Sequence, residues 1–174
     1  MNREILFRGK PDWYWDGISF DEDYVKLHAG WAYKDGWVYG QLACNTYRMA
    51  WIIGPITEWD EDCIYPICPG YWIPVDPETV GQYTGVTDKD ENKIFEGDLY
   101  RSDSGYIFEV VYLESEACFA GVPVKEPESW VFLEDVAGME RVGNKWDNPE
   151  LLEVPGIVKT HVDYKYKNCK VELV

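Results

Sequence analysis

Asp88, Asp90 and Asn92 alternate along the chain as the first, third and fifth ligands of a calcium loop do. Such a loop needs glycine at its sixth position for the sharp turn and glutamate at its twelfth for bidentate coordination. Here those places hold Lys93 and Leu99, and no helix pattern flanks the run. A charged, solvated hairpin turn accounts for these residues. Cys63 and Cys68 have the spacing of a zinc knuckle, with Cys44 as a nearby third thiol and His28 and His161 distant in sequence. Structural zinc uses paired, short-spaced ligands, so these residues read as free thiols.

Nucleophilic catalysis needs a base beside a serine or cysteine, and two histidines without a local motif do not supply one. Cys63, Cys68 and Cys118 stand in apolar or acidic surroundings, which oppose thiolate formation. Paired carboxylates occur by chance among 32 acidic residues, and no glycine loop runs into Lys-Ser or Lys-Thr to cradle phosphate. The expectation is a protein with no metal, no cofactor and no enzymatic activity.

Charge is the distinctive chemistry. The chain holds 16 basic against 32 acidic residues, a net of −16. Residues 157–174 carry Lys159, Lys165, Lys167 and Lys170 against Asp163 and Glu172, so the remainder is more acidic still. An acidic body repels phosphate backbones, which disfavours direct nucleic-acid binding. Asp21, Glu22 and Asp23, then Glu58, Asp60, Glu61 and Asp62, then Asp88, Asp90 and Glu91 are the candidate acidic interaction surface, suited to a basic protein partner. Its extreme form is nucleic-acid mimicry, with carboxylates in place of phosphates. The alternative is a carbohydrate-binding β module stacking sugars on Trp13, Trp15, Trp31 and Trp59.

The elements that would position these groups are strands. Nine Trp and thirteen Tyr favour a β-rich core. Short strands are expected at 5–7, 24–27, 37–43 (with Gly40 as a bulge) and 49–53. Prolines at 55, 66, 69 and 74 confine the next segment to edges and loops, with short buried pieces at 64–65 and 71–73. Residues 98–102, 106–114, 117–124, 130–133 and 140–146 then read as five strands of a barrel, with one helical turn over 133–138. Asn148-Pro149 should open a short helix through 152. Alternation over 158–166 predicts one further strand.

The densest patterning lies in 75–101, VDPETVGQYTGVTDKDENKIFEGDLYR, two apolar runs joined by a charged turn and closed by Glu96-Gly97-Asp98. Its QYTGVTDKDENKIFEGDLY resembles the signature of the YopX family, small proteins of phages and prophages. REILFRGK (3–10), DGWVYGQL (35–42) and VGNKWDNPELL (142–152) resemble the family's other segments, in the same order. Against that pattern, 11–34 reads as an insertion and the tail after Leu152 as extra. The resemblance implies a mainly β protein built on a small SH3-like barrel and carries no established activity.

Together these give a β-rich N-terminal region over 1–74, an SH3-like barrel over 75–152, a C-terminal extension over 153–174 and very little helix. No basic start leads into an apolar run, and no stretch reaches a membrane span. The chain is therefore expected in the cytoplasm of a bacterial host, without membrane contact, its thiols reduced. Exposed strands would also permit a homo-oligomer.

Overall fold

The computed structural model describes residues 4–15, 17–45, 49–58 and 68–153. Among the described residues strand makes up 46% and helix 17%, so the mainly β expectation holds. In chain order the N-terminal strands are β1 (Phe7–Gly9), β2 (Tyr14–Trp15), β3 (Ile18–Ser19), β4 (Tyr33–Lys34), β5 (Trp37–Cys44) and β6 (Ala50–Ile53). The chain continues through β7 (Ile56–Glu58), β8 (Cys68–Pro69), β9 (Trp72–Val75), β10 (Gly81–Thr87) and β11 (Lys93–Phe95). The remaining strands are β12 (Asp98–Arg101), β13 (Ile107–Leu113), β14 (Cys118–Pro123), β15 (Val131–Phe132) and β16 (Glu140–Asn144).

These strands form two main antiparallel sheets and two small hairpins. The first sheet has seven strands, ordered β11-β10-β1-β5-β6-β9 with β4 also on β5. The second has five, ordered β15-β14-β13-β12-β16, and curls into a half-barrel compatible with an SH3-like barrel. It stays open, with β15 and β16 as its two ends. Its five strands fall on the five expected segments. The helical turn is α2 (Leu133–Ala137), which buries Leu133 and Val136. The stretch 75–101 serves both sheets: Val75, β10 and β11 lie in the first, and β12 belongs to the second.

Two expectations for the N-terminal region give way. Residues 24–27 are not a strand but lie inside α1 (Glu22–Ala29). The Asp21 carboxylate caps the helix by accepting a hydrogen bond from the Tyr24 N–H, and Glu22 and Asp23 suit the positive end of its dipole. Val25 and Ala29, four residues apart, are buried against Val38, Ile52, Ile73 and Val75 of the first sheet. Gly40 is not a bulge, because its pairing with Phe7 is in register. A side chain there would meet the Ile53 carbonyl at 2.4 Å and the Tyr71 hydroxyl at 2.9 Å, so the position needs glycine for close approach.

Pro74 sits where a proline can sit, on the edge strand β9. The expected helix at 148–152 is a single 3₁₀ turn, Pro149–Leu152, without a side-chain cap from Asn148. The pieces expected at 64–65 and 158–166 lie outside the described residues. No described helix is long and apolar enough to cross a membrane.

The crossing between sheets turns on Gly97, at φ 81°. Its N–H donates to the Val110 carbonyl at 2.8 Å and its carbonyl accepts from Lys145 N–H at 2.9 Å. A Cβ there would lie 2.3 Å from the Trp146 ring. Gly97→Ala should therefore cost about 2–4 kcal/mol from backbone strain and overpacking combined. Gly105→Ala, also at positive φ but with open space around it, should cost about 1 kcal/mol. Urea unfolding of both variants checks this; equal costs would mean that Trp146 does not press on the turn.

Candidate functional site

Strand alternation sends Arg8 to the side of β1 opposite Phe7 and places it beside Tyr39 of β5 and Gly81 of β10. A side chain at Gly81 would meet the Glu96 carbonyl at 2.6 Å, so close approach of the Glu96 segment requires glycine there. Arg8 is 1% exposed, although it carries a full charge. Its guanidinium lies 4.5 Å from the centre of the Trp37 ring and 4.8 Å from that of Phe95, with Trp146 at 6.0 Å. Flat packing against aromatic faces suits a guanidinium and recovers part of its lost hydration.

The compensating charge comes from Asp98, fully buried at the start of β12. Asp98 Oδ1 accepts from Arg8 Nη2 at 2.6 Å and from Arg141 Nη2 at 2.9 Å. Its Oδ2 accepts from the Phe95 N–H at 2.9 Å. One carboxylate thus joins β1 of the first sheet to β16 of the second. Burial works against the Arg141 charge, but Asp98 outweighs it and holds that guanidinium protonated. Among the described residues, Arg8 Nε is the buried side-chain polar atom left without a partner.

Two neighbouring clusters brace this bridge. Asp147 accepts hydrogen bonds from Lys10 Nζ, from Trp37 Nε1 at 3.2 Å and from Asn144 Nδ2 at 2.7 Å. Burial alone would raise its pKa, yet the bonds from Asn144, Lys10 and Trp37 together hold the carboxyl below its usual range. On the other side, the Tyr100 hydroxyl donates to Asp88 Oδ2 at 3.3 Å. Burial first, then the charges of Asp98 and Asp88, push the Tyr100 phenol far up, so it remains a hydrogen-bond donor.

The acidic residues singled out from sequence take different roles. Asp21 caps α1, Glu22 pairs with Lys26 at 3.0 Å and accepts from the Tyr33 hydroxyl, and Asp23 is exposed. Asp88 is not on the surface: it is 6% exposed, and its Oδ1 accepts from the N–H groups of Asp90 and Asn92, both at 2.9 Å. The hairpin's own amides satisfy the carboxylate, which is why it can turn inward. Asp90 and Glu91 remain exposed at the tip. Helix α1 packs over the β5, β6 and β9 part of the first sheet, whereas the 88–92 tip sits at the opposite edge, so these two acidic groups are not brought together. The side chain of Glu58 and the whole of Asp60, Glu61 and Asp62 lie outside the described residues.

The remaining candidate chemistry is dispersed. His28 is exposed and packs on Tyr24 at 4.2 Å, and Cys118 is a free thiol. No three potential metal ligands converge among the described residues, a set without Cys63, His161 or the side chain of Cys68. Of the proposed sugar platform, Trp13 and Trp31 are exposed, Trp15 packs edge-on against Trp51 at 5.8 Å, and Trp59 lies outside the described residues.

A family model described as YopX protein matches residues 55–153, more than half of the chain. The chain belongs to the YopX family. No curated protein matches it. The YopX span begins at β7 and contains Asp98, Arg141 and Asp147, while Arg8, Lys10 and Trp37 precede it. The ion bridge therefore fastens the family-matched portion of this YopX chain to strands that come before it. Sequence reading missed Arg8 and Arg141 altogether. The one local signal was a charged residue inside the short apolar run from Ile5 to Gly9.

Asp98→Asn should leave Arg8 buried without its counter-charge and cost about 3–5 kcal/mol, measured by urea unfolding. Glu109→Gln, at the partly exposed Lys145 pair of 2.7 Å, should cost about 1 kcal/mol or less. The bridge has no special weight if the two variants unfold alike. Asp147 adds a pH signature. Its lowered pKa contributes stability that is present above the unfolded carboxylate value of about 4 and lost as pH falls through the lower folded value. Asp147→Asn should flatten the acid limb of the stability–pH curve, by a small amount because the side chain is 39% exposed. An unchanged acid limb would remove Asp147 from the account.

Proposed function

We propose that this YopX chain is a phage or prophage accessory protein that works by binding another protein through its acidic exterior, without catalysis. The supporting observation is how the fold divides its charges. Seven basic side chains, Arg8 and Arg141 among them, are tied to carboxylates within the structure. Carboxylates meanwhile remain exposed at the start of α1, at Asp90 and Glu91, at Glu114 and Glu116 and at Glu126 and Glu128. The exterior field is accordingly negative, which draws a basic partner and repels phosphate backbones.

Nucleic-acid mimicry would need carboxylates in register along one face. The separation of the α1 group from the 88–92 tip favours a partner that meets a local patch instead. The proposed setting is the cytoplasm of a bacterial host, where such partners include basic host or phage proteins.

The test is capture from host lysate on immobilised full-length protein at low and high ionic strength. A basic protein should be retained at low salt and released at high salt, because screening acts within about 10 Å at 0.1 M. Charge-reversing Asp90 and Glu91 to lysine, or Asp21 and Asp23, should weaken capture at whichever patch is engaged. Capture indifferent to salt and to both substitutions, or turnover lost with a single carboxylate, would defeat the proposal.

A further inference from the structure

An open cleft of about 650 Å3 lies over the Arg8 side of β1 and β5. Its wall includes Arg8, Arg141, Tyr39 and Phe95. Two guanidiniums there share the single carboxylate of Asp98, which leaves one positive charge at the inner end. At the rim, Lys93 is neutralised by Glu4 at 2.7 Å, Lys34 lies next to Asp35, and Glu91 adds a negative charge on the outside.

Three donors at this inner end are incompletely used. Arg8 Nε is buried and unpartnered. Arg141 gives one Nη2 bond to Asp98, keeps 32% of its side chain exposed and lines the cleft. The Tyr39 hydroxyl, close enough to feel both Arg8 and Arg141, makes no hydrogen bond among the described residues. A buried cation with an unused donor, beside an exposed guanidinium edge and an unpaired hydroxyl, is the donor set of an anion site.

We propose that this cleft binds a carboxylate, held by the free edge of Arg141 and the Tyr39 hydroxyl, with Arg8 behind them supplying the positive potential. A single residual positive charge matches a monoanion. A phosphate dianion would add an uncompensated charge inside a chain of net −16. The site meets the acidic exterior only at Glu91 on its rim, and the donors inside the cleft do not depend on that exterior.

The test is NMR titration of the full-length protein with sodium acetate, and separately with inorganic phosphate and a short peptide ending in a free carboxylate, all at constant ionic strength. Acetate should give saturable shifts at Tyr39 and at the Arg141 side chain, and phosphate should bind more weakly. Tighter binding of the peptide than of acetate would identify a chain terminus as the source; equal binding would identify a small free acid. Tyr39→Phe keeps the ring that packs on Phe95 at 5.6 Å and should weaken acetate about tenfold. Arg141→Gln should abolish saturation, with Arg141→Lys, which keeps the charge, retaining a weakened response. Because the wild-type titration needs no substitution, a destabilised variant does not shelter the proposal. Shifts that never saturate, equal affinity in Tyr39→Phe, or preference for phosphate would overturn it.

Discussion

A carboxylate that accepts from two guanidiniums and a backbone amide, with no exposure to water, is the constraint on which the two sheets depend. Desolvating three charges is costly, and their mutual attraction offsets that cost only when the hydrogen bonds are well made. The geometry therefore acts as a registry device. A one-residue slip of β1 would exchange Arg8 with Phe7, placing a cation over the apolar layer beneath α1 and stranding Asp98.

The aromatic load acquires a specific meaning around this bridge. Trp37, Phe95 and Trp146 form the sleeve in which Arg8 sits, and they also lower the local dielectric. Trp146 is itself anchored by donating Nε1 to the Glu78 carbonyl at 2.9 Å, and Trp37 by donating to Asp147. Lysine would not replace Arg8 here, since a compact ammonium cannot lie flat between two rings while reaching Asp98. The sleeve draws on β5, β11 and the segment after β16, so packing and electrostatics fix the same arrangement.

How much of this was legible follows from range. The second sheet was read strand by strand, because each segment is a short, mostly apolar run that ends in its own turn, such as Gly105 donating to Ser102. Helix α1 was misread because Val25-Lys26-Leu27 alternates apolar and polar like a strand. The Asp21 cap and the four-residue spacing of Val25 and Ala29 carried the contrary signal. Asp88 read as solvated among charged neighbours, yet amides two and four residues onward satisfy it. Arg8 and Asp98 are 90 residues apart, and no local pattern joins them.

That division of range is also a division of roles. Long-range ion pairs take basic side chains out of the solvent field, and short-range turns set carboxylates at its boundary. The exterior charge is thus not merely a matter of composition, since the same residues distributed as surface pairs would present a flatter potential. Burying Arg8 and half-burying Arg141 removes cations that would otherwise screen the acids around them. Solvent therefore faces the exposed carboxylates, while the two guanidiniums lie along the wall of the cleft. The same buried carboxylate that joins the two sheets thus also sets where these two guanidiniums sit.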